Sequence, residues 1–339
     1  MEQKSVLIGM SGGVDSSVAA ALLKEQGYHV IGATMRLWTY SDSCNMKHEG
    51  CCAESAVEDA RRVCDKLGID FYVMNFKDMF KDKVVDYFVD EYIHGRTPNP
   101  CIACNKYLKF DALLKKALAM GIDYVATGHY AKIEKGEDGK YILRASEAVK
   151  KDQSYVLYNF TQEQLAHTLM PLGGYNKDWV RQKAEELGLG VAHKPDSQEI
   201  CFVEDDDYAK FITDYSGYKP KEGDILDVNG NVIGKHRGLI YYTIGQRKGI
   251  GAYGRPMFVM KIDAENNTIT LGEKGMEFSN ELTAYDVNFV SGEFPKENML
   301  ITAKVRYQAP PAAAMLCPQK DGTVKLMFPE PVSYTHLRA

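Results

Sequence analysis

The feature that most restricts what this chain can fold into is the run Ser11-Gly12-Gly13-Val14-Asp15-Ser16-Ser17, which follows the apolar stretch Ser5 to Met10 and opens a helical pattern. A strand that turns through paired glycines into a helix lets the backbone come close to a ligand, and the amides of the helix start point at an anion. Three serines add hydroxyl donors. The run lacks the Lys of a Walker loop and is not the G-x-G-x-x-G of dinucleotide-binding folds. It predicts a phosphate-binding turn; the plainer alternative is an N-cap whose glycines serve only the turn.

The strand, turn, helix order recurs. His29 to Met35 reads as a strand, Ser55 to Leu67 as a helix stopped by Gly68, and Phe71 to Asn75 as a strand. A helix from Met79 to Ile93, another through Met120 and a strand at Tyr124 to Thr127 follow. This alternation implies an α/β fold, a doubly wound parallel sheet over residues 1–206. From Asp207 onward short apolar runs are punctuated by Gly, Pro, Asn229-Gly230 and Asp321-Gly322, the pattern of small antiparallel sheets. A small central β domain over 207–272 and a C-terminal β-barrel over 273–332 are expected.

With 339 residues, 45% apolar and 26% charged, two or three packed units are expected and disorder is not. Eight cysteines without a secretory leader fit a reducing compartment, so the cytoplasm is the expected location and no membrane is involved. A formal net charge of −5 argues against a surface that is basic throughout. Contact with RNA would then rest on local patches: Arg61-Arg62, Lys106 with Lys109, Lys150-Lys151, Lys235 to Arg237 and Arg247-Lys248.

Cys101 and Cys104 lie in Asn99-Pro100-Cys101-Ile102-Ala103-Cys104-Asn105-Lys106, a turn entering a helix. A thiol at a helix start near Lys106 and Lys109 gains thiolate character, which suits a nucleophile. Cys201 sits in Asp196-Ser197-Gln198-Glu199-Ile200-Cys201-Phe202. Spacing leaves three readings open for this trio: a redox pair, metal ligands including an iron–sulfur cluster, or sulfur carriers. Cys44, His48, Cys51 and Cys52 match no common zinc spacing and read as a loop near the active site.

The glycine turn, NPCIACN-x-x-x-KF, ATGHYA, KDQSY, KPDSQEICF and YTIGQRKGIG occur in this order in one chain. Together they resemble the tRNA-specific 2-thiouridylase family (MnmA/TrmU), members of the PP-loop ATP pyrophosphatases with the adenine nucleotide alpha hydrolase-like fold. The resemblance implies ATP-dependent adenylation of the wobble uridine 2-oxygen of tRNA and its replacement by sulfur. It implies that Gly9, Met10, Ser11, Gly12, Gly13, Val14, Asp15 and Ser16 hold the ATP phosphates, that Met35 packs on adenine, that Gly128 touches the nucleotide and that Asp15 lies near Mg2+. Cys201 would carry a persulfide and Cys104 would free the sulfur, with a transient disulfide between them. Asn99, Pro100 and Cys101 would meet the target base; His129, Lys151, Asp152, Gln153, Arg306 and Tyr307 would contact tRNA. The implied partners are the tRNAs for Lys, Glu and Gln and a cysteine desulfurase or sulfur-relay protein. Taken on its own chemistry, His129 reads equally as a satisfied polar residue after a strand, and Lys151-Asp152 as a surface pair.

Two departures stand out against that family. Many members carry Asp where Cys101 stands, so a general-base role at this position is in doubt, while a third thiolate favours the cluster reading. Members also continue beyond the MFPEP-like segment, whereas Ser333 to Ala339 resembles none of that continuation. The barrel is therefore expected to be incomplete and residues 333–339 to be foreign sequence. The rivals are another PP-loop ligase, such as GMP synthetase or argininosuccinate synthase, and a non-catalytic RNA-binding or iron–sulfur protein. Neither type of ligase needs a cysteine pair.

Overall fold

The computed structural model describes residues 3–38, 54–196, 200–203, 206–276, 278–307 and 309–333. It divides into two compact units. The first comprises Met1–Val85, Pro100–Asp206 and Asn288–Glu293, and the second Asp86–Asn99, Asp207–Val287 and Phe294–Ala339.

In the first unit β1 (Ser5–Gly9) carries Val6, Leu7 and Ile8, all fully buried, as expected of a strand covered on both faces. The chain turns through Gly12 and Gly13 into α1 (Val14–Glu25), with Asp15 in its first turn and Lys24 in its last, both favourable to the helix dipole. β2 (His29–Arg36), α2 (Glu54–Leu67), β3 (Asp70–Asn75) and β4 (Tyr124–Ala126) follow. A hairpin of β5 (Ala131–Lys135) and β6 (Tyr141–Ala145) precedes β7 (Thr168–Leu169). The parallel sheet runs β3-β2-β1-β4-β7. Winding proceeds from β1 to β3 on one side and resumes at β4 on the other. The switch point thus falls between β1 and β4, the place where sheets of this kind bind ligands, at the carboxyl ends of the strands.

The core that fixes α1 on this sheet joins Val18, Ala19, Ala20 and Leu23 to Val6 and Ile8, to Ala60 and Cys64 of α2, and to Val180 and Ala184 of the helix Lys177–Glu186. Small alanines let the helix lie close. Each fully buried Val or Leu contributes about 1.5–3 kcal/mol.

The sequence predicts two uninterrupted helices where the structure has composites. Residues 77–93 form an α turn (Lys77–Phe80), a π stretch (Lys81–Asp86) and an α stretch (Tyr87–Ile93). Residues 100–119 likewise pass from Pro100–Ala103 through a π stretch (Cys104–Ala112) to Leu113–Ala119. Wide turns of this kind recur at functional sites, and Cys104 opens one.

The second unit contains a helix, Tyr208–Ser216, which the β-rich pattern after Asp207 does not predict. Asp207 caps it by accepting from the Lys210 amide at 2.9 Å, and Gly217, at φ 69°, ends it. Its first sheet runs β10-β11-β8-β9, formed by β8 (Gly223–Leu226), β9 (Val232–His236), β10 (Met257–Asp263) and β11 (Thr268–Glu273). β11 and β8 pair in parallel, so this sheet is mixed rather than antiparallel. The second sheet is antiparallel and open, β12-β15-β14-β13, from β12 (Phe278–Ala284), β13 (Met299–Ala303), β14 (Ala312–Pro318) and β15 (Val324–Ser333). Asn229-Gly230 joins β8 to β9 and Asp321-Gly322 joins β14 to β15, with glycine φ values of 86° and 84°. The expected foreign tail lies, but for Ser333, outside the described residues.

Two glycines of similar φ separate conformational strain from steric strain. A Cβ on Gly27 (φ 88°) meets nothing within 4 Å, whereas one on Gly12 (φ 70°) would lie 2.2 Å from the Ala56 carbonyl oxygen. Gly27→Ala is expected to cost about 1–2 kcal/mol. Gly12→Ala must in addition push α2 away, and a larger fall in the thermal unfolding midpoint than for Gly27→Ala checks this.

Candidate active site

The turn after β1 is braced from within. The Thr34 hydroxyl donates to the Met10 carbonyl at 2.8 Å, and the Met10 amide donates to Ala33 at 2.8 Å. The Ser17 hydroxyl donates to the Gly13 carbonyl at 2.8 Å and that of Ser16 to the same oxygen at 3.2 Å, while Ser16 Oγ also accepts from the Ser11 amide at 3.2 Å. Both side chains are buried. All three hydroxyls read as ligand donors therefore hold the turn, since that of Ser11, an exposed residue, shares a 3.2 Å hydrogen bond with Ser16 Oγ.

No side chain caps the start of α1. Its first amides are thus available to an anion. Gly128, after β4, lies against this start: a Cβ there would stand 2.7 Å from the Ser16 nitrogen. Gly9, half-buried Met35 and Gly128 share the carboxyl ends of β1, β2 and β4. The residues present suit a nucleotide polyphosphate, since the amides at the start of α1 have no side-chain cap and glycines stand where the backbone is most crowded.

With Lys177 on it, Asp15 is not open to a metal ion. Lys177 Nζ donates to both its carboxylate oxygens at 2.8 Å, and the Tyr130 hydroxyl donates to Oδ1 at 2.7 Å. Two hydrogen-bond donors around a carboxylate form a poor receptacle for a cation, so the expected place of Mg2+ at Asp15 does not fit this arrangement. Lys177 also pairs with Asp196 at 2.7 Å, and Asp196 receives Lys151 at 2.8 Å and Arg181 at 3.1 Å. Burial raises the Asp196 pKa, but the hydrogen bonds from Lys151 and Lys177 outweigh it and hold the pKa at about 2. Lys194 donates to the Gly12 carbonyl at 3.1 Å and to Asp59 at 2.9 Å. Burial, then the Asp15 charge, raises the Tyr130 pKa and keeps the phenol a donor.

The sequence reading missed Lys177, Asp196, Tyr130 and Lys194 as site residues. Three of them lie inside the segments quoted above, beside residues that were singled out. Lys177 offers a fainter signal: a cation at the first position of a helix opposes the helix dipole, so something else must hold it there.

The segment 151–153 divides. Lys151 pairs with Asp196 rather than with its neighbour Asp152. Asp152 accepts from the Ser146 amide at 2.9 Å and the Ser154 hydroxyl at 2.7 Å, and Gln153 bonds Tyr130 in both directions, at 2.8 and 2.9 Å. Asp152 and Gln153 thus shape the loop that presents Lys151. His129 is half-buried, shares a 2.7 Å hydrogen bond with Thr127 and packs against Phe110. Burial, then repulsion by Lys109, pushes its pKa well below the usual histidine value, so the ring is neutral.

Cys104 is buried, Cys101 exposed and Cys201 intermediate. Asn105, next to Cys104, donates to the Val156 carbonyl at 3.1 Å and ties this helix to the turn after Gln153. Phe202 anchors the Cys201 segment, with its ring 5.6 Å from Phe80 and 6.4 Å from Trp38. Cys64 differs: burial, then Asp65, pushes its thiol up to about 12, and it is inert packing. Among the described residues no three or more Cys, His, Asp or Glu are placed to hold a metal, which leaves the iron–sulfur reading of Cys101, Cys104 and Cys201 without support. Cys44, His48, Cys51 and Cys52 lie outside the described residues. In the second unit Asn99 is half-buried, Arg306 is buried and Tyr307 is exposed with Lys304 over its ring at 5.5 Å. Among the basic patches, Arg62 pairs with Asp59 and Lys235 with Asp224, which lowers their net positive field.

Three family models match in succession: the tRNA methyl transferase HUP domain over residues 4–205, the tRNA methyl transferase PRC-barrel domain over 209–273 and the aminomethyltransferase beta-barrel domain over 279–334. The tRNA-specific 2-thiouridylase MnmA of Acetivibrio thermocellus is 57% identical over 98% of this chain and 93% of its own length. The chain belongs to the tRNA-specific 2-thiouridylase family. The MnmA proteins of Clostridioides difficile (57% identical over 96% of this chain and 91% of theirs) and Clostridium botulinum strain Alaska E43 (56% over 97% and 91%) are similarly related. Family membership assigns the PP-loop architecture to the first unit. Among the described residues no helix is long and apolar enough to cross a membrane.

The Asp196 hub carries a pH signature. A carboxylate whose folded pKa is depressed stabilises the fold above its unfolded pKa and loses that contribution as pH falls through the folded value. Asp196→Asn is expected to lower stability at neutral pH by on the order of 1 kcal/mol, after allowance for solvent screening. Denaturant unfolding should show the difference from the parent chain shrinking between about pH 4 and pH 2.

Proposed function

We propose that this protein is a tRNA-uridine 2-sulfurtransferase that acts on the wobble uridine of the tRNAs for Lys, Glu and Gln. The observation that carries the reading is an uncapped α1 start, enclosed by Gly12 and Gly128, in the same compact unit as Cys104 and Cys201. The close relation to 2-thiouridylases over nearly the whole chain supports it.

In this reading Gly9 to Ser16 bind the phosphates of ATP, supplied as its magnesium complex, and Met35 and Gly128 border the nucleoside. The uridine 2-oxygen attacks the α-phosphorus, the bond to the β-phosphate breaks and pyrophosphate leaves. Adenylation turns a poor oxygen leaving group into AMP. Cys201, loaded as a persulfide by a cysteine desulfurase or sulfur-relay protein, attacks C2 through its terminal sulfur and AMP departs. The Cys104 thiolate then attacks the Cys201 sulfur. The persulfide bond breaks, its electron pair stays with the sulfur on C2, and a Cys104–Cys201 disulfide remains for a thiol reductant to open. Burial of Cys104 shields the attacking thiol from other oxidants. Asn99, Pro100 and Cys101 receive the base, with Cys101 in a binding rather than a basic role. His129, Lys151, Arg306 and Tyr307 contact the tRNA, while Asp152 and Gln153 act through the loop they shape.

Nucleoside mass analysis tests this on unmodified tRNA incubated with the protein, ATP, magnesium, a cysteine desulfurase and cysteine. 2-Thiouridine is expected with the parent chain and at least a hundredfold less with Cys104→Ser or Cys201→Ser, on the order of the loss when a covalent nucleophile is removed. Pyrophosphate release that depends on tRNA should survive both substitutions. Full thiolation by either variant overturns the division of labour.

A further inference from the structure

The phosphate turn contains no cation of its own, yet ATP brings several negative charges to a helix start that already holds Asp15. We propose that Lys177 is a substrate-contacting residue that leaves Asp15 for the polyphosphate tail of ATP, so that it supplies the charge the turn lacks. The proposal rests on the ATP reading above.

Four observations lead there. First, the Lys177 side chain is only 12% exposed, and its three N–H bonds match three carboxylate contacts at 2.7–2.8 Å, on Asp15 and Asp196. The ammonium is therefore already held at the carboxylate of the first turn of α1. Second, its place at the first position of the helix Lys177–Glu186 opposes that helix's dipole, which makes it a poor choice for simple structural pairing. Third, Asp196 keeps two cations when Lys177 moves, because Lys151 and Arg181 also hold that carboxylate. Three cations face two carboxylates, and the surplus positive charge lies beside uncapped amides. Such a surplus in a partly desolvated place is an anion site. Fourth, Asp15 keeps the Tyr130 hydroxyl as a partner at 2.7 Å when Lys177 turns away, so the exchange leaves no stranded carboxylate.

A residue on the tail separates ATP from AMP, which a residue that only holds the fold does not. Calorimetric binding to the full chain with magnesium is expected to show Lys177→Met weakening ATP at least tenfold while changing AMP less than twofold. Lys177→Arg should recover most of the ATP affinity. Because Lys177→Met leaves Asp15 without its cation, the same pair of ligands is measured on Asp15→Asn and on Asp15→Asn with Lys177→Met, in which no charge is stranded. The tenfold selective loss for ATP must appear between these two as well. Equal weakening of ATP and AMP, or unchanged ATP affinity, overturns this proposal alone. A parent chain that binds neither nucleotide overturns the ATP reading with it.

Discussion

The architecture of the first unit depends on the absence of side chains at two points around the start of α1. On one side the backbone of α2 comes so near Gly12 that a Cβ would meet the Ala56 carbonyl at 2.2 Å; on the other the loop after β4 brings Gly128 so near that a Cβ would meet the backbone of Ser16 at 2.7 Å and of Asp15 at 2.8 Å. These contacts seat the helix end at the switch point of the sheet and leave its amides uncapped. Close-packed interiors do not yield continuously to an added methyl group, so the enclosure is built into the backbone and every ligand-facing group is placed relative to it. The hydroxyls of Ser16 and Ser17 serve the same end by fastening the turn to itself.

Charge completes what backbone geometry begins. Asp15, Lys177, Asp196, Lys151 and Arg181 form one connected set that runs from the phosphate turn to the segment bearing Cys201 and to the loop shaped by Asp152 and Gln153. The turn before α1, the Cys201 segment and the half-buried Lys151 thereby share a carboxylate, Asp196. In a partly buried set of this kind each charge sets the position of the next, because solvent screens it little and a lost partner is costly.

The thiols show how one residue type takes different roles by position. Cys64, among the buried side chains between α2 and the sheet, is pushed up to about 12 and stays protonated. Cys104 opens a π stretch, and Cys201 precedes a Phe202 anchored by Phe80 and Trp38. Packed supports under both positions suit the proposed reaction, in which sulfur must be delivered to a single carbon.

The doubly wound sheet and its phosphate turn were legible in the chain itself, because hydrophobic periodicity and paired glycines act over a few residues and are written locally. So were the turns at Asn229-Gly230 and Asp321-Gly322, where a positive φ demands glycine. The helix Tyr208–Ser216 escaped notice since its cap and stop lie within a stretch dominated by β signals. The π stretches did too, as the apolar spacing scarcely differs from that of an α-helix. What only the tertiary structure decided is which charges meet: Lys177 and Asp15 stand on different helices, far apart in the chain, and their pairing follows from how those helices pack on one sheet. Local patterns are fixed by backbone preference and burial, whereas the partner of a side chain is fixed by the folding of distant segments onto a common core, and no sequence spacing encodes that.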